Sequence, residues 1–228
     1  MSLILSIETS TPVCSVAIST EEELLAFEKL SLEKSHSRLL TVVVRDLLNH
    51  SGVKGNEIDA VAVSKGPGSY TGLRIGVSTA KGLCYAWDKP LIAINTLEAM
   101  ASQVTQWNTA QHWLCPMLDA RRMEVYTMLL KPNLGVIRST EAKILDENSF
   151  AETLSTQPVL FFGNGSDKFS KLVVGNKKAA FVNGVDPTAE GVAALAHQAF
   201  KTESFEDLAY FEPYYLKDFI ATVPKKVF

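Results

Sequence analysis

The sequence predicts a mixed α/β fold, on three observations. Three short strand-like segments follow one another at the N-terminus, helical and strand-like segments then alternate, and 46% of the 228 residues are apolar, enough for sheets that helices cover. The segments Leu3 to Ile7, Cys14 to Ile18 and Leu24 to Lys29 are aliphatic. Thr9-Ser10-Thr11-Pro12 and the acidic turn Glu21-Glu22-Glu23 separate them, which predicts a β-meander. From Ser35 to Ser51, Leu39, Leu40, Val43, Val44, Leu47 and Leu48 recur at helical spacing before Gly52, so a helix with one buried face is expected. Ile58 to Val63 predicts a strand, Gly66 to Gly72 a loop, and the following residues a helix to about Trp87. Leu91 to Ile94 gives the next strand. Asn95 with Glu98 has the capping-box spacing that starts a helix to about Gln106.

The polar stretch Trp107 to His112 is the expected boundary between an N-terminal subdomain, 1–103, and a C-terminal subdomain, 104–228, whose last segment is expected to pack back on the first. In the second half, strands are expected at Trp113 to Leu118, Glu124 to Leu130, Ala142 to Leu145 and Val159 to Phe162. Helices are expected at Ser149 to Leu154 and Thr188 to Phe200. No tandem repeat is visible in the residues.

Charge and composition exclude several classes. With 22 Lys+Arg against 25 Asp+Glu the formal charge is −3, and neither half is a basic module of the kind that binds nucleic acid tightly by itself. The longest apolar runs, Leu83 to Trp87 and Val192 to Ala196, are far below the about 20 residues of a membrane helix. Cys14, Cys84 and Cys115 are odd in number and unpaired in spacing, as suits reduced thiols, and a cytoplasmic location is expected.

Four local features bear on chemistry. Gly66, Gly68, Gly72 and Gly76 with Pro67 precede a helix start, where they serve either a structural turn or an anion site. The string lacks the Lys-Ser/Thr of a P-loop and the spacing of Gly-x-Gly-x-x-Gly, and Pro67 breaks a nucleophile elbow at Ser69. Gly72, Gly76 and Ala80 fall every four residues along one helix face, which packs either on its own sheet or on another subunit. Asp119, before Ala120-Arg121-Arg122, is either a turn residue or a holder of hydrated Mg²⁺ or a ribose. Thr9 and Ser10 after the first strand, and Gly163 and Gly165 after a later one, are further weak candidates for a nucleotide site. His36, His50, His112 and His197 show no metal-ligand spacing, so no metal site is expected.

Taken in order, Ile4-Leu5-Ser6-Ile7-Glu8-Thr9-Ser10, His36-Ser37, Gly66-Pro67-Gly68-Ser69-Tyr70-Thr71-Gly72-Leu73-Arg74-Ile75-Gly76, Leu118-Asp119-Ala120-Arg121-Arg122 and Pro213-Tyr214-Tyr215-Leu216 resemble the TsaB family, also called YeaZ. The resemblance implies an actin-like, Hsp70-like and sugar-kinase-like (ribonuclease H-like) fold of two related subdomains. It implies a cytoplasmic role in making N6-threonylcarbamoyladenosine in tRNAs that read codons beginning with A. The implied partners are TsaD and the TsaE ATPase, with a homodimer when alone and tRNA met only through the complex. The sister subunit TsaD transfers the threonylcarbamoyl group with a metal held by two histidines four apart. In the comparable stretch, Ile94 to Met100, Thr96 and Met100 replace them, and neither supplies an imidazole ligand. A non-catalytic scaffold follows from that departure, with no cofactor of its own beyond weak or vestigial ATP or ADP binding at Thr9, Ser10, Asp119, Gly163 and Gly165. By the same resemblance Leu39, Val43, Leu47, Gly72, Ile75, Gly76 and Ala80 form the subunit interface. A small ATPase or kinase of the same fold is the alternative, and a glycoprotease-type metallopeptidase a lesser one.

Overall fold

A computed structural model describes residues 2–31 and 36–217. The expected start of the first helix at Ser35, and the side chain of His36, lie outside what it describes. Strands β1 (Ile4–Glu8), β2 (Val13–Ser19) and β3 (Leu24–Ser31) form the meander, followed by α1 (His36–Ser51), β4 (Ala60–Gly66), α2 (Tyr70–Trp87) and β5 (Leu91–Asn95). The first sheet runs β3-β2-β1-β4-β5, antiparallel between β1, β2 and β3 and parallel from β1 through β4 to β5.

Helix α3 (Thr96–Val104) starts where Asn95 Oδ1 accepts from the amides of Leu97 and Glu98, at 2.9 and 3.4 Å. Asn95 is thus the N-cap its spacing predicts. Beyond it come β6 (Trp113–Asp119), β7 (Glu124–Leu130), β8 (Val136–Ile144), α4 (Ala151–Thr156), β9 (Val159–Phe162), α5 (Ser166–Ser170), β10 (Ala179–Val182) and α6 (Ala189–Lys201). The second sheet runs β10-β9-β6-β7-β8, with β6, β7 and β8 antiparallel and β6, β9 and β10 parallel. It repeats the first sheet strand for strand. Glu8 and Asp119 therefore end equivalent strands.

Every residue of β1 and β2 is buried, because helices cover both faces of their sheet. Leu5 and Ile7 meet Val43, Val44 and Leu47 of α1 and Val77 and Ala80 of α2, while Ile4 on the opposite face meets Val192 and Ala196 of α6. Helix α6 comes from the second half of the chain but packs on the first sheet, where Ser15 Oγ accepts from the Ala189 amide at 2.9 Å. Helix α3 is shared between the sheets. Its Ala99 packs with α6 and sheet one, and its Leu97, Met100 and Val104 pack with Leu114, Leu118 and Phe162 of sheet two. A cluster of Phe150, Phe161, Phe169 and Phe181 fills the far side of the second sheet.

Candidate functional site

The turn after β1 is stitched to the glycine-rich loop. The Ser69 amide donates to Ser10 O at 2.6 Å, and Thr9 Oγ1 donates to Gly72 O at 2.8 Å. A Cβ on Gly68 would lie 2.5 Å from Ser10 O, and Cβ atoms on Gly72 and Gly76 would overlap Thr9 O and Thr9 Oγ1. The glycines are there because the β1–β2 turn occupies the space of their side chains. Ser69 Oγ also accepts from the Gly72 amide, so the start of α2 is capped from within. Thr9 and Ser10 are both 1% exposed. Thr9 packs against Gly72 and Gly76 of α2, and Ser10 against Gly68 and Ser69 of the loop before it.

Glu8 is fully buried beneath this turn. Its Oε1 accepts from the Ser10 amide at 2.5 Å, while Oε2 has no partner, nor have the hydroxyls of Ser6 and Ser10. Burial pushes the Glu8 carboxyl above the usual carboxylate range, and its polar neighbours, Ser10 first, oppose the rise only in part.

At the equivalent turn of the second sheet, Asp119 is exposed but already occupied. Its Oδ1 accepts from the Arg121 amide at 2.6 Å and from Lys168 Nζ of α5 at 2.7 Å. The Lys168 ammonium thus pairs with the Asp119 carboxylate from within the chain. Gly163 and Gly165 are buried, and a Cβ on Gly163 would overlap Met117 O and lie 2.6 Å from Met100 Cε. One on Gly165 would lie 2.9 Å from the Leu118 carbonyl carbon. Both glycines serve the close approach of the β9–α5 turn to β6. Of the five candidates, only Asp119 reaches solvent.

Thr96 and Met100 close the neighbouring space. Thr96 Oγ1 lies 2.5 Å from Ser64 Oγ, and both Thr96 and Met100 are fully buried. A hydroxyl pair and a thioether packed on Gly163 fill the interior here.

Along the helical face Gly72, Gly76 and Ala80 point inward, and Val43 and Leu47 belong to the core. Leu39 and Ile75 remain half-buried at the edge. The surface actually presented by the helix pair is a groove of about 430 Å³, lined among others by Thr41, Arg45, Leu48, Leu83 and Trp87. Leu83 and Trp87 lay in the sequence as apolar positions beyond those needed for the core face of α2, the signal that would have found the groove.

Residues 30–225 match the family described as TsaD, tRNA N6-adenosine threonylcarbamoyltransferase. The Escherichia coli (strain K12) protein named tRNA threonylcarbamoyladenosine biosynthesis protein TsaB is 31% identical over 226 residues, 96% of both chains. The chain belongs to the TsaB (YeaZ) family. A Pseudomonas aeruginosa crystal structure, described as an uncharacterized protein with similarity to peptidase YeaZ, superimposes with a TM-score of 0.84 at 26% identity. It covers 95% of this chain, which in turn covers all of it. At the level of fold alone, the Acidaminococcus fermentans (R)-2-hydroxyglutaryl-CoA dehydratase component A superimposes over 90% of this chain and the whole of its own, with a TM-score of 0.53 at 8% identity. The TsaB fold here is accordingly the actin-like one, with two sheets of repeated topology.

Proposed function

We propose that this chain is a non-catalytic scaffold for the N6-threonylcarbamoyladenosine modification of tRNA, acting by pairing with TsaD and helping to recruit TsaE. The name of its E. coli relative supports the pathway. The observation that carries the scaffold reading is the pair Thr96 and Met100. At the positions that correspond by resemblance to the metal-binding histidines of TsaD, this chain has a buried hydroxyl bonded to Ser64 and a thioether packed against Gly163. Neither group offers a metal an imidazole or carboxylate, and the space is filled.

The α1–α2 groove is the surface we assign to TsaD, and to a second copy of this chain when TsaD is absent. It places Leu48, Leu83 and Trp87 beside Arg45, an apolar centre with a polar margin of the kind that pairs helices between subunits. Co-purification with TsaD tests this assignment. Leu48→Glu combined with Leu83→Glu should abolish the heterodimer while the monomer keeps its circular dichroism spectrum. Undiminished heterodimer from a folded double variant would refute the assignment.

A further inference from the structure

After α6 the chain does not leave the surface but runs back along α2. The Glu206 amide donates to Leu91 O at 2.9 Å, Lys81 Nζ donates to the carbonyls of Ala209 and Phe211 at 3.2 and 3.1 Å, and the Tyr214 amide donates to Lys65 O at 2.7 Å. A Cβ on Gly66 would lie 2.7 Å from Tyr214 O, so the absent side chain makes room for the segment. Tyr215 packs its ring on Tyr70 of α2, with centroids 4.9 Å apart. These contacts, from Glu206 to Tyr215, are with the first subdomain. Two residues later Lys217 pairs with Glu124 and lies over the Tyr126 ring at 6.0 Å, both on β7 of the second sheet.

The segment Phe211 to Lys217 thus begins on one sheet and ends on the other. Elsewhere the two sheets are joined chiefly through α3, with Asn95 Nδ2 donating to Thr140 Oγ1 at 2.9 Å across the ends of β5 and β8. We propose that Phe211–Lys217 is an intramolecular latch that fixes how far the two subdomains close on each other without any bridging ligand. Asp119 pairs internally with Lys168, and Thr9 with the Gly72 carbonyl, so neither side chain reaches across between the two sheets. The latch supplies the cross-link instead. Because it is anchored through Lys81, Lys65 and Tyr70, it also couples α2 to the β6–β7 turn.

The distance between two spin labels, one per subdomain, tests the latch in the full chain. Gly82→Cys on α2 and Ser139→Cys on β8 are exposed positions, and the three native thiols are buried. The parent should give one narrow distance distribution. Lys217→Ala should broaden or shift it by several ångströms, and the exchange Glu124→Lys with Lys217→Glu should restore it. Circular dichroism and the melting transition verify that each variant is folded. A distribution in Lys217→Ala that superimposes on the parent, or one that the charge exchange does not recover, overturns the latch.

Discussion

Gly76 and Thr9 share one space: the position of a Cβ on Gly76 is taken by Thr9 Oγ1, which donates to Gly72 O from there. A glycine that reads as an interface residue in one dimension is in three dimensions the seat of a buried threonine.

The first prediction is therefore a non-additive pair. Gly76→Ala should destabilise the fold by about 2 kcal/mol, as an overpacked core does. In a Thr9→Ala background the same change should cost much less, since the nearest atoms to a Cβ at 76 would then be the residue 9 Cβ at 3.5 Å and Val63 Cγ2 at 3.6 Å. A double-mutant cycle in urea checks it, with additive effects as the contrary result.

Glu8 predicts a pH dependence. In the unfolded chain its carboxyl ionises near the ordinary value of about 4.3, while burial raises the folded value. The folded state then binds the extra proton, so its contribution to stability is complete below the ordinary value and lost as pH rises through the raised one. Glu8→Gln should flatten the stability profile between acidic and neutral pH and make the protein relatively more stable at pH 7 than at pH 4.5. Parallel profiles for parent and variant would contradict this.

The thiols give a third. Burial pushes Cys14 to about 11 and Cys84 and Cys115 to about 12, so almost no thiolate exists at pH 8. A disulfide-exchange reagent should titrate none of the three in the native protein and all three in guanidinium. Fast reaction of even one native thiol would show that a covering helix opens readily.

Much of the first subdomain was legible because its signals are local. The meander, the Leu39 to Leu48 stripe and the Asn95 cap each depend on residues a few positions apart, and each has its counterpart in the structure. The second subdomain was less legible. Strand β8 begins at Val136, not Ala142, because it is a half-exposed edge strand whose Arg138 to Glu141 stretch carries no alternation. Strand β10 and the five-residue α5 were missed, being short and held in place by Val159, Phe161 and Phe169 across the sheet. The repeat of strand order between the sheets is a property of topology, and no residue pattern carried it.

The site followed the same division. That Thr96 and Met100 supply no imidazole was plain from residue type. That Gly72 and Gly163 make room for the protein's own backbone, and Gly76 for the Thr9 hydroxyl, was not, because a glycine reports a close approach without naming what approaches. The partner of Asp119, Lys168, lies 49 residues away, beyond any local pattern.

The central claim is that the chain is required for the modification but contributes no reacting group. Its most direct test is formation of N6-threonylcarbamoyladenosine on tRNA by purified TsaD and TsaE supplied with threonylcarbamoyl-adenylate and ATP. Modification should require addition of this chain, should fail with the Leu48→Glu, Leu83→Glu variant, and should persist with Asp119→Asn. Equal modification in the absence of the chain would contradict the account.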